Sequence, residues 1–417
     1  MNGNSPVVVA FTKDWDDVPT CTTHVLRHMA KNLPVLWIES IGTRKPRLTA
    51  GHDWRRLWRR ARRALAGAET KENRLRVLAP LVLPKSDSAL GRRLNRQLMA
   101  WQIGRALRGL APRHVEYWCF VPNAVDLLPD AGAGELPEAR GRARGGGNVL
   151  IYYCVDDWEK FHNLDGNWLS RKEARLVRMA DVVFTPSQFL AEKCRRLGAV
   201  SVHYVPHGVD YAAFARALAK ETPVPEDVAG LPRPVVGFYG NLHAWVDFDL
   251  IHALARLRPH WSFVLIGQIY ADVSRFNGVA NVYFLGRREH AELPAYCKAF
   301  DVAMIPYDMR QDRMASVNPV KTKELLAAGV PIVAADVPEL RGYGRDVLIC
   351  HSPAEWLAAI EEQAGRTDRA EISRRVAGED WGCKVAGMRR EVERIWQRQA
   401  AVAAGAVSAG RGTDERR

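Results

Sequence analysis

Short runs of β-branched and aliphatic residues alternate with amphipathic stretches along most of this chain. In the first half the runs Val7–Phe11, Val35–Glu39, Leu75–Leu78, Val115–Val121, Val149–Val155, Val182–Thr185 and Ser201–Val205 read as strands. Apolar positions recur with helical period over Thr22–Lys31, Ala89–Arg108, Trp168–Met179 and Ser187–Leu197. The second half repeats the alternation. Its strands are Val235–Tyr239, Ser262–Ile266, Val282–Leu285, Val302–Ile305, Ile332–Ala335 and Val347–Cys350. Its helices are Asp247–Leu257, His290–Ala299, Val320–Ala328 and Pro353–Gln363. Strands separated by helices need crossover connections, so each half is predicted to form a parallel sheet with helices on both faces.

Pro223, Pro225, Pro232 and Pro234 cluster between the halves and predict a hinge without regular structure. The expected organisation is a first domain over 1–213, a hinge over 214–233 and a second domain over 234–380. A final helix follows over 381–400, then a small-residue and charged tail over 401–417. That tail and the segment Pro129–Gly147, which has no aromatic or β-branched residue, are expected to be disordered. No internal repeat is present.

Composition adds limits. The 417 residues, 47% of them hydrophobic, suffice for two cores, and no run approaches the length of a membrane span. The N-terminus has no basic region and only a short apolar run, so a cytoplasmic protein is expected. Seven scattered cysteines, none in a C-x-x-C pair, read as buried reduced thiols, and no Cys/His spacing suggests structural zinc. The net charge of +13 is concentrated: Arg44 to Arg63 holds nine Lys/Arg against the single acid Asp53. Within it, Asp53–Leu65 reads as a helix with Trp54, Leu57, Trp58, Ala61 and Leu65 on one face. Arginines, among them Arg55, Arg56, Arg59 and Arg60, fill the other. That composition suits a helix lying on an anionic membrane. A core helix with a charged outer face has the same pattern. Nucleic-acid binding is not expected, since no reader motif accompanies the charge.

Candidate chemistry concentrates at two strand ends and one helix. Strand Val235–Tyr239 runs into Gly240-Asn241, where a glycine turn before a helix could bring backbone N–H groups to a phosphate. A plain strand-to-helix turn needs the same residues. The chain has no G-x-G-x-x-G and no Walker lysine motif, which argues against a dinucleotide dehydrogenase and a P-loop ATPase. In Asn318-Pro319-Val320-Lys321-Thr322-Lys323-Glu324, Lys321 and Glu324 share one helical face near the N-terminus. An ammonium there could neutralise a diphosphate, and a carboxylate could accept ribose hydroxyls. A solvated ion pair on a surface helix is the alternative. In the first half, Tyr152-Tyr153-Cys154-Val155-Asp156-Asp157 ends a buried strand in two carboxylates, placed for catalysis or for helix capping. The loop Lys13–Asp17, with Thr22 and His24 behind it, is an acceptor-site candidate.

The run Lys-Glu-Leu-Leu-Ala-Ala-Gly-Val-Pro-Ile-Val at 323–333 resembles the signature of retaining GT-B glycosyltransferases of the family 4, or group 1, type. Val205–Asp210, Asn281–Arg288 with Glu292–Tyr296, and Phe300–Tyr307 are similar to other pieces of that family in the same order. Gly237–Leu242 with Trp245 and Asp247 resembles a subgroup that includes teichuronic-acid and other exopolysaccharide transferases. The likeness covers 149–399 well and 1–148 weakly. It implies an α/β GT-B fold: two Rossmann-like doubly wound domains facing a cleft, with the C-terminal helix crossing back. It implies a nucleotide-sugar donor, a glycan or lipid-linked acceptor near the inner-membrane surface, no cofactor and no metal.

Residue by residue, the resemblance assigns Glu324 to the ribose. It puts Lys321, with Gly240, Asn241, Gly267 and Asn318, near the donor nucleotide, and Arg287 and Arg288 beside the base. Asp156 or Asp157 takes the place of a histidine facing the transferred sugar in many relatives. Trp15, Asp16 and His24 fall on the acceptor side. Two departures are visible. Ser316 stands where the family often has a glutamate eight residues before Glu324. The loop after the first strand of the second domain also lacks the usual basic residue, a charge expected from Arg287. These departures keep open a catalytically silent scaffold in a polysaccharide assembly complex. A sugar-nucleotide epimerase and an inverting transferase also stay open.

Overall fold

A computed structural model describes residues 5–17, 19–40, 67–72, 74–83, 88–110, 112–128, 147–160 and 166–411, with side chains to residue 402. The predicted membrane helix with Trp54, Arg55, Arg56, Trp58, Arg59 and Arg60 lies outside the described residues, as does 129–146. Two compact units form: Met1–Val205 together with Val385–Arg417, and Pro206–Lys384.

The first unit is an eight-stranded sheet. Its strands are β1 (Val7–Phe11), β2 (Val35–Ile38), β3 (Glu69–Glu72), β4 (Leu75–Leu78), β5 (Val115–Cys119), β6 (Val149–Tyr153), β7 (Val182–Thr185) and β8 (Val202–Tyr204). They run in the order β3-β4-β2-β1-β5-β6-β7-β8, all pairs parallel except β3 with β4. The edge strand β3, Glu-Thr-Lys-Glu, has no apolar residue and gave no hydrophobic signal. Strands β1 and β6 are buried on both faces, which is why they appear in the sequence as unbroken apolar runs.

The second unit holds β9 (Val235–Tyr239), β10 (Ser262–Ile266), β11 (Val282–Gly286), β12 (Val302–Ile305), β13 (Ile332–Ala334) and β14 (Val347–Ile349). Their order is β11-β10-β9-β12-β13-β14, all parallel. Helices of both units start on polar caps that satisfy the free N–H groups of the first turn. Ser187 accepts from Leu190, Asp210 from Ala213, Asp247 from Leu250 and Ser352 from Glu355.

Three boundaries differ from the sequence reading. The expected hinge 214–233 belongs to the second unit and contains the helix Glu226–Ala229 and a turn over Arg216–Leu218. Phe214, Ala217 and Val228 anchor it in the core, and Pro225 caps the helix it was expected to forbid. The last helix runs from Trp381 to Arg411, well into the expected tail, because alanine favours helix where no other signal opposes it. The helix Arg369–Arg375 was not foreseen.

From Val385 onward the last helix is part of the first unit. Arg389 pairs there with the fully buried Glu116, Glu393 accepts from Arg113 at 2.7 Å, and Trp396 stacks on His114 at 4.7 Å. Burial opposes the charge of Glu116, yet hydrogen bonds from His114 and the Arg389 guanidinium hold its carboxyl below the usual range.

Candidate active site

In the second unit the strand order reverses between β9 and β12, the point at which doubly wound sheets bind ligands beyond the carboxyl ends of their strands. Three chain segments meet at this end of the sheet: Tyr239-Gly240, Ile266-Gly267 and Pro306-Tyr307. Gly267 has φ +151°, and a Cβ there would fall 1.9 Å from the Gly240 carbonyl oxygen, so the two backbones touch. At Gly240, φ +135°, a Cβ would lie 2.5 Å from the Lys321 Nζ. Both glycines therefore clear space, one for a neighbouring strand and one for an ammonium.

Lys321 comes from the helix Val320–Ala327, which Pro319 starts and whose next residues, Thr322 to Ala327, are buried. Its Nζ lies 4.1 Å from the centroid of the Phe238 ring and 5.4 Å from that of Tyr307. Burial pushes the Lys321 pKa down to about 7, against the pull of Glu324. Glu324 sits in a cage of its own. Its Oε2 accepts the Tyr239 hydroxyl at 2.9 Å and its Oε1 lies 2.8 Å from His290 Nε2. The hydrogen bond to Glu324 raises the His290 pKa against the opposing effect of burial. With Glu324 only 6% exposed, the solvated surface pair is overturned. His290 is the residue that sequence reasoning missed: it stands 34 positions from its partner and read only as the start of a helix.

On the other side of Lys321 two loops are laced together. Asp308 N donates to Trp245 O at 2.9 Å, Gln311 Nε2 to Ala244 O at 2.6 Å, and Val246 bridges Tyr307. His243 stacks on Trp245 at 4.1 Å with planes 8° apart, and the Arg313 guanidinium lies 4.8 Å from the same indole. Burial and the Arg313 charge push the His243 pKa down. A cation thus stands beside the loop that lacks one in sequence, and it is Arg313. Arg287 is exposed and 3.5 Å from Glu289. Arg288 is committed to structure, donating to the Tyr296 hydroxyl at 2.7 Å and to Asp227 at 2.9 Å. Asn241 is exposed at the glycine turn, and Asn318 is buried beside Pro319. Ser316 is also buried, its hydroxyl donating to Arg313 O at 2.8 Å.

The first unit brings some of its candidates together and separates others. Lys13 follows β1, Cys21 opens the helix Cys21–Ala30, and Asp156 follows β6. The buried Cys21 thiol is pushed up to about 12 by burial and by Asp156, with Lys13 pulling the other way, so the three groups are neighbours. Within the loop, Trp37 Nε1 donates to Lys13 O at 2.9 Å, and Asp14 accepts from Ser40 Oγ at 2.7 Å. Trp15 packs edge-on to Trp37 at 5.2 Å, with Arg27 over its ring at 5.4 Å. Asp16 is exposed, and His24 is half-buried with its carbonyl 2.9 Å from His28 Nδ1.

Asp157 is a different case, because the structure gives it an ion network of its own. It is buried and bound to Lys193 at 2.5 Å, and that ammonium is also 2.8 Å from Glu173, which accepts the Tyr152 hydroxyl. The acids raise the Lys193 pKa although burial opposes it. We expect Asp157→Ala to cost about 3 kcal/mol of stability, because it strips a buried ion network of one partner. The folded fraction should turn over normally. Unfolding curves and activity per folded molecule check both halves. Among the described residues no cluster of three His, Cys, Asp or Glu forms a metal-ligand set. Among the described residues no helix is long and apolar enough to cross a membrane. Six of the seven cysteines are buried, and Cys383 is exposed.

Residues 233–366 match the family described as glycosyl transferases group 1. The second domain is a group 1 glycosyl transferase domain. The chain is also 30% identical over 257 residues to the putative teichuronic acid biosynthesis glycosyltransferase TuaH of Bacillus subtilis (strain 168). That alignment spans 56% of this chain and 64% of the relative. Two solved structures share the whole two-domain fold, each with a TM-score of 0.60 at 13% identity over 94% of this chain and 99% of theirs. They are a sucrose-phosphate synthase from Thermosynechococcus elongatus and a UDP-forming α,α-trehalose-phosphate synthase from Burkholderia xenovorans. The architecture is GT-B. The glycosyl transferase domain contains Gly240, Gly267, Arg313, Lys321 and Glu324, so the match covers the whole strand-reversal site.

Proposed function

We propose that this protein is a glycosyltransferase that moves a sugar from a nucleotide-sugar donor to a glycan or lipid-linked acceptor in cell-surface polysaccharide biosynthesis. It works with retention, at the cytoplasmic face of the membrane. The observation that carries the reading is Lys321: a desolvated ammonium beside a glycine turn at the strand reversal, with no hydrogen bond or ion pair to a carboxylate among the described residues. Such a group is poised for an anion. One helical turn on, Glu324 has lone pairs beyond those given to Tyr239 and His290, which suit the ribose hydroxyls.

In this reading the bond from the anomeric carbon to the diphosphate oxygen breaks while the acceptor hydroxyl oxygen bonds to that carbon from the same face. The hydroxyl proton passes to the departing phosphate. Lys321, the N-terminus of its helix and Arg313 stabilise the charge that builds on the diphosphate. Asp156 steadies positive charge on the sugar, and Asp16 and His24 belong to the acceptor side. No metal is required for any of these roles.

The test is product analysis with UDP-, GDP- and ADP-sugars and a lipid-linked or oligosaccharide acceptor. Nucleoside diphosphate release with a new α- or β-linked product of retained configuration is expected, and Asp156→Ala should abolish it. Isomerised donor without transfer would identify an epimerase. Failure to release diphosphate from any donor would leave a silent scaffold.

A further inference from the structure

The helix Ala89–Ala106 in the first unit is built inside out. Its buried side carries the amides Asn95 and Gln102 together with Met99, Ile103 and Ala106. Those amides hold a neighbouring segment. Asn95 accepts from Leu83 N at 2.7 Å and donates to Leu83 O at 3.0 Å, and Gln102 does the same to Leu81 at 2.8 and 2.9 Å. The outward side carries Leu90, 78% exposed, Trp101, 57% exposed, and Leu94. These three fall within about 40° of one another around a helix of 3.6 residues per turn. The tethered Leu81 and Leu83 are exposed as well. Five of the thirteen exposed large apolar side chains among the described residues therefore lie between positions 81 and 101. Scattered exposed leucines need no explanation, but a row of them beside buried amides does.

The charge around this row has one sign. From Ser88 to Leu110 the sequence holds Arg92, Arg93, Arg96, Arg105 and Arg108, with no aspartate or glutamate. Arg93 stands about 80° to one side of the middle of the apolar stripe and Arg105 about 40° to the other, and the Arg105 guanidinium lies 5.8 Å from the Trp101 ring centroid.

We propose that this face seats on an anionic lipid bilayer surface. Leu90, Leu94 and Trp101 enter the headgroup and upper acyl region, and the arginines meet lipid phosphates. A tryptophan–leucine ridge flanked by guanidinium groups matches the chemistry of that interface, apolar at depth and negative at the surface. A second copy of this chain fits worse, since it would oppose arginine with arginine. The proposal concerns residues 81–108, does not depend on the predicted patch at Trp54–Arg60, and is independent of the sugar chemistry.

The experiment is co-sedimentation of the full chain with phosphatidylcholine vesicles, with and without phosphatidylglycerol. It compares wild type, the triple variant Leu90→Ser/Leu94→Ser/Trp101→Ser, and a variant with Arg93, Arg96, Arg105 and Arg108 changed to Gln. All substituted positions are on the helix surface or just beyond its end, and thermal unfolding monitors folding. Wild type is expected on the anionic vesicles. The triple variant should bind roughly tenfold or more weakly, and the arginine variant should lose its preference for phosphatidylglycerol. Absence of wild-type binding overturns the proposal, as does unchanged binding of both variants, which would move any membrane contact to another segment. A wild-type dimer that the triple variant dissolves, with vesicle binding unaltered, also overturns it and assigns the face to self-association.

Discussion

Replacing Lys321 by alanine is expected to weaken nucleoside diphosphate binding by roughly 30- to 100-fold, the worth of a charge-assisted contact to phosphate in a desolvated site. Its pH dependence is the sharper test. With a pKa of about 7 in the free protein, half the ammonium is neutral near neutrality. A bound diphosphate favours the charged form, so binding takes up a proton once the pH exceeds that value. Affinity should then fall with rising pH above about 7, approaching tenfold per unit, and should not fall for this reason below it. Lys321→Arg keeps a permanent charge and should flatten the alkaline limb, although the larger guanidinium fits the space beside Gly240 less well. Calorimetric titrations of both proteins from about pH 6 to about pH 9, which brackets the lysine, check the slope. The same depressed pKa makes the free protein gain stability as pH rises from about 7 towards the ordinary lysine value, because only the unfolded chain still holds the proton there.

The largest structural effect is expected at Gly267. A methyl group there would sit 1.9 Å from the Gly240 carbonyl oxygen, and the residue holds φ +151°, where side chains are strained. Neither strand can yield easily: Gly240 N is bonded to Ile266 O at 2.8 Å and Gly267 N to Gly286 O at 2.9 Å. Gly267→Ala should therefore cost about 3 kcal/mol or more and displace the glycine turn under Lys321. Loss of nucleotide binding should accompany a lowered unfolding midpoint. Gly278→Ala is the control, with a positive φ but no atom within 4 Å of its added Cβ; it carries strain without the clash and lies away from the site. If Gly267→Ala bound nucleotide normally, the backbone contact would not support the site.

The sheets were legible because the central strands of each, such as β1, β6, β9, β10 and β12, are buried on both faces and so appear as apolar runs bounded by turn residues. Lys321 and Glu324 were legible because helical spacing and the surrounding run point to one face. The cage around Glu324 was not. Tyr239 and His290 reach it from distant positions, and Tyr239 looked like any strand residue. Sequence proximity alone points to Arg287, next to the base loop, for the expected charge; Arg313 lies on the short 3-10 turn Asp312–Ser316 and reaches Trp245 only through the fold. Asp156 and Asp157 are neighbours in sequence, but strand geometry sends one into the Lys193 network and leaves the other half-exposed near Cys21. The prolines of 214–233 argue locally against regular structure, but the core contacts of Phe214 and Val228 decide it; the composition of 401–417 argues for disorder, but the helix propensity of its alanines and continuity with the last helix carry the helix to Arg411.

The strand-reversal site of the glycosyl transferase domain is expected to bind a nucleoside diphosphate without metal. Isothermal titration of the intact protein with UDP, GDP and ADP, with and without EDTA and repeated on Glu324→Ala, tests it most directly. Saturable binding of one of the three is expected, unchanged by EDTA and lost in Glu324→Ala despite retained folding. No binding to any nucleotide, or binding indifferent to Glu324, would contradict it.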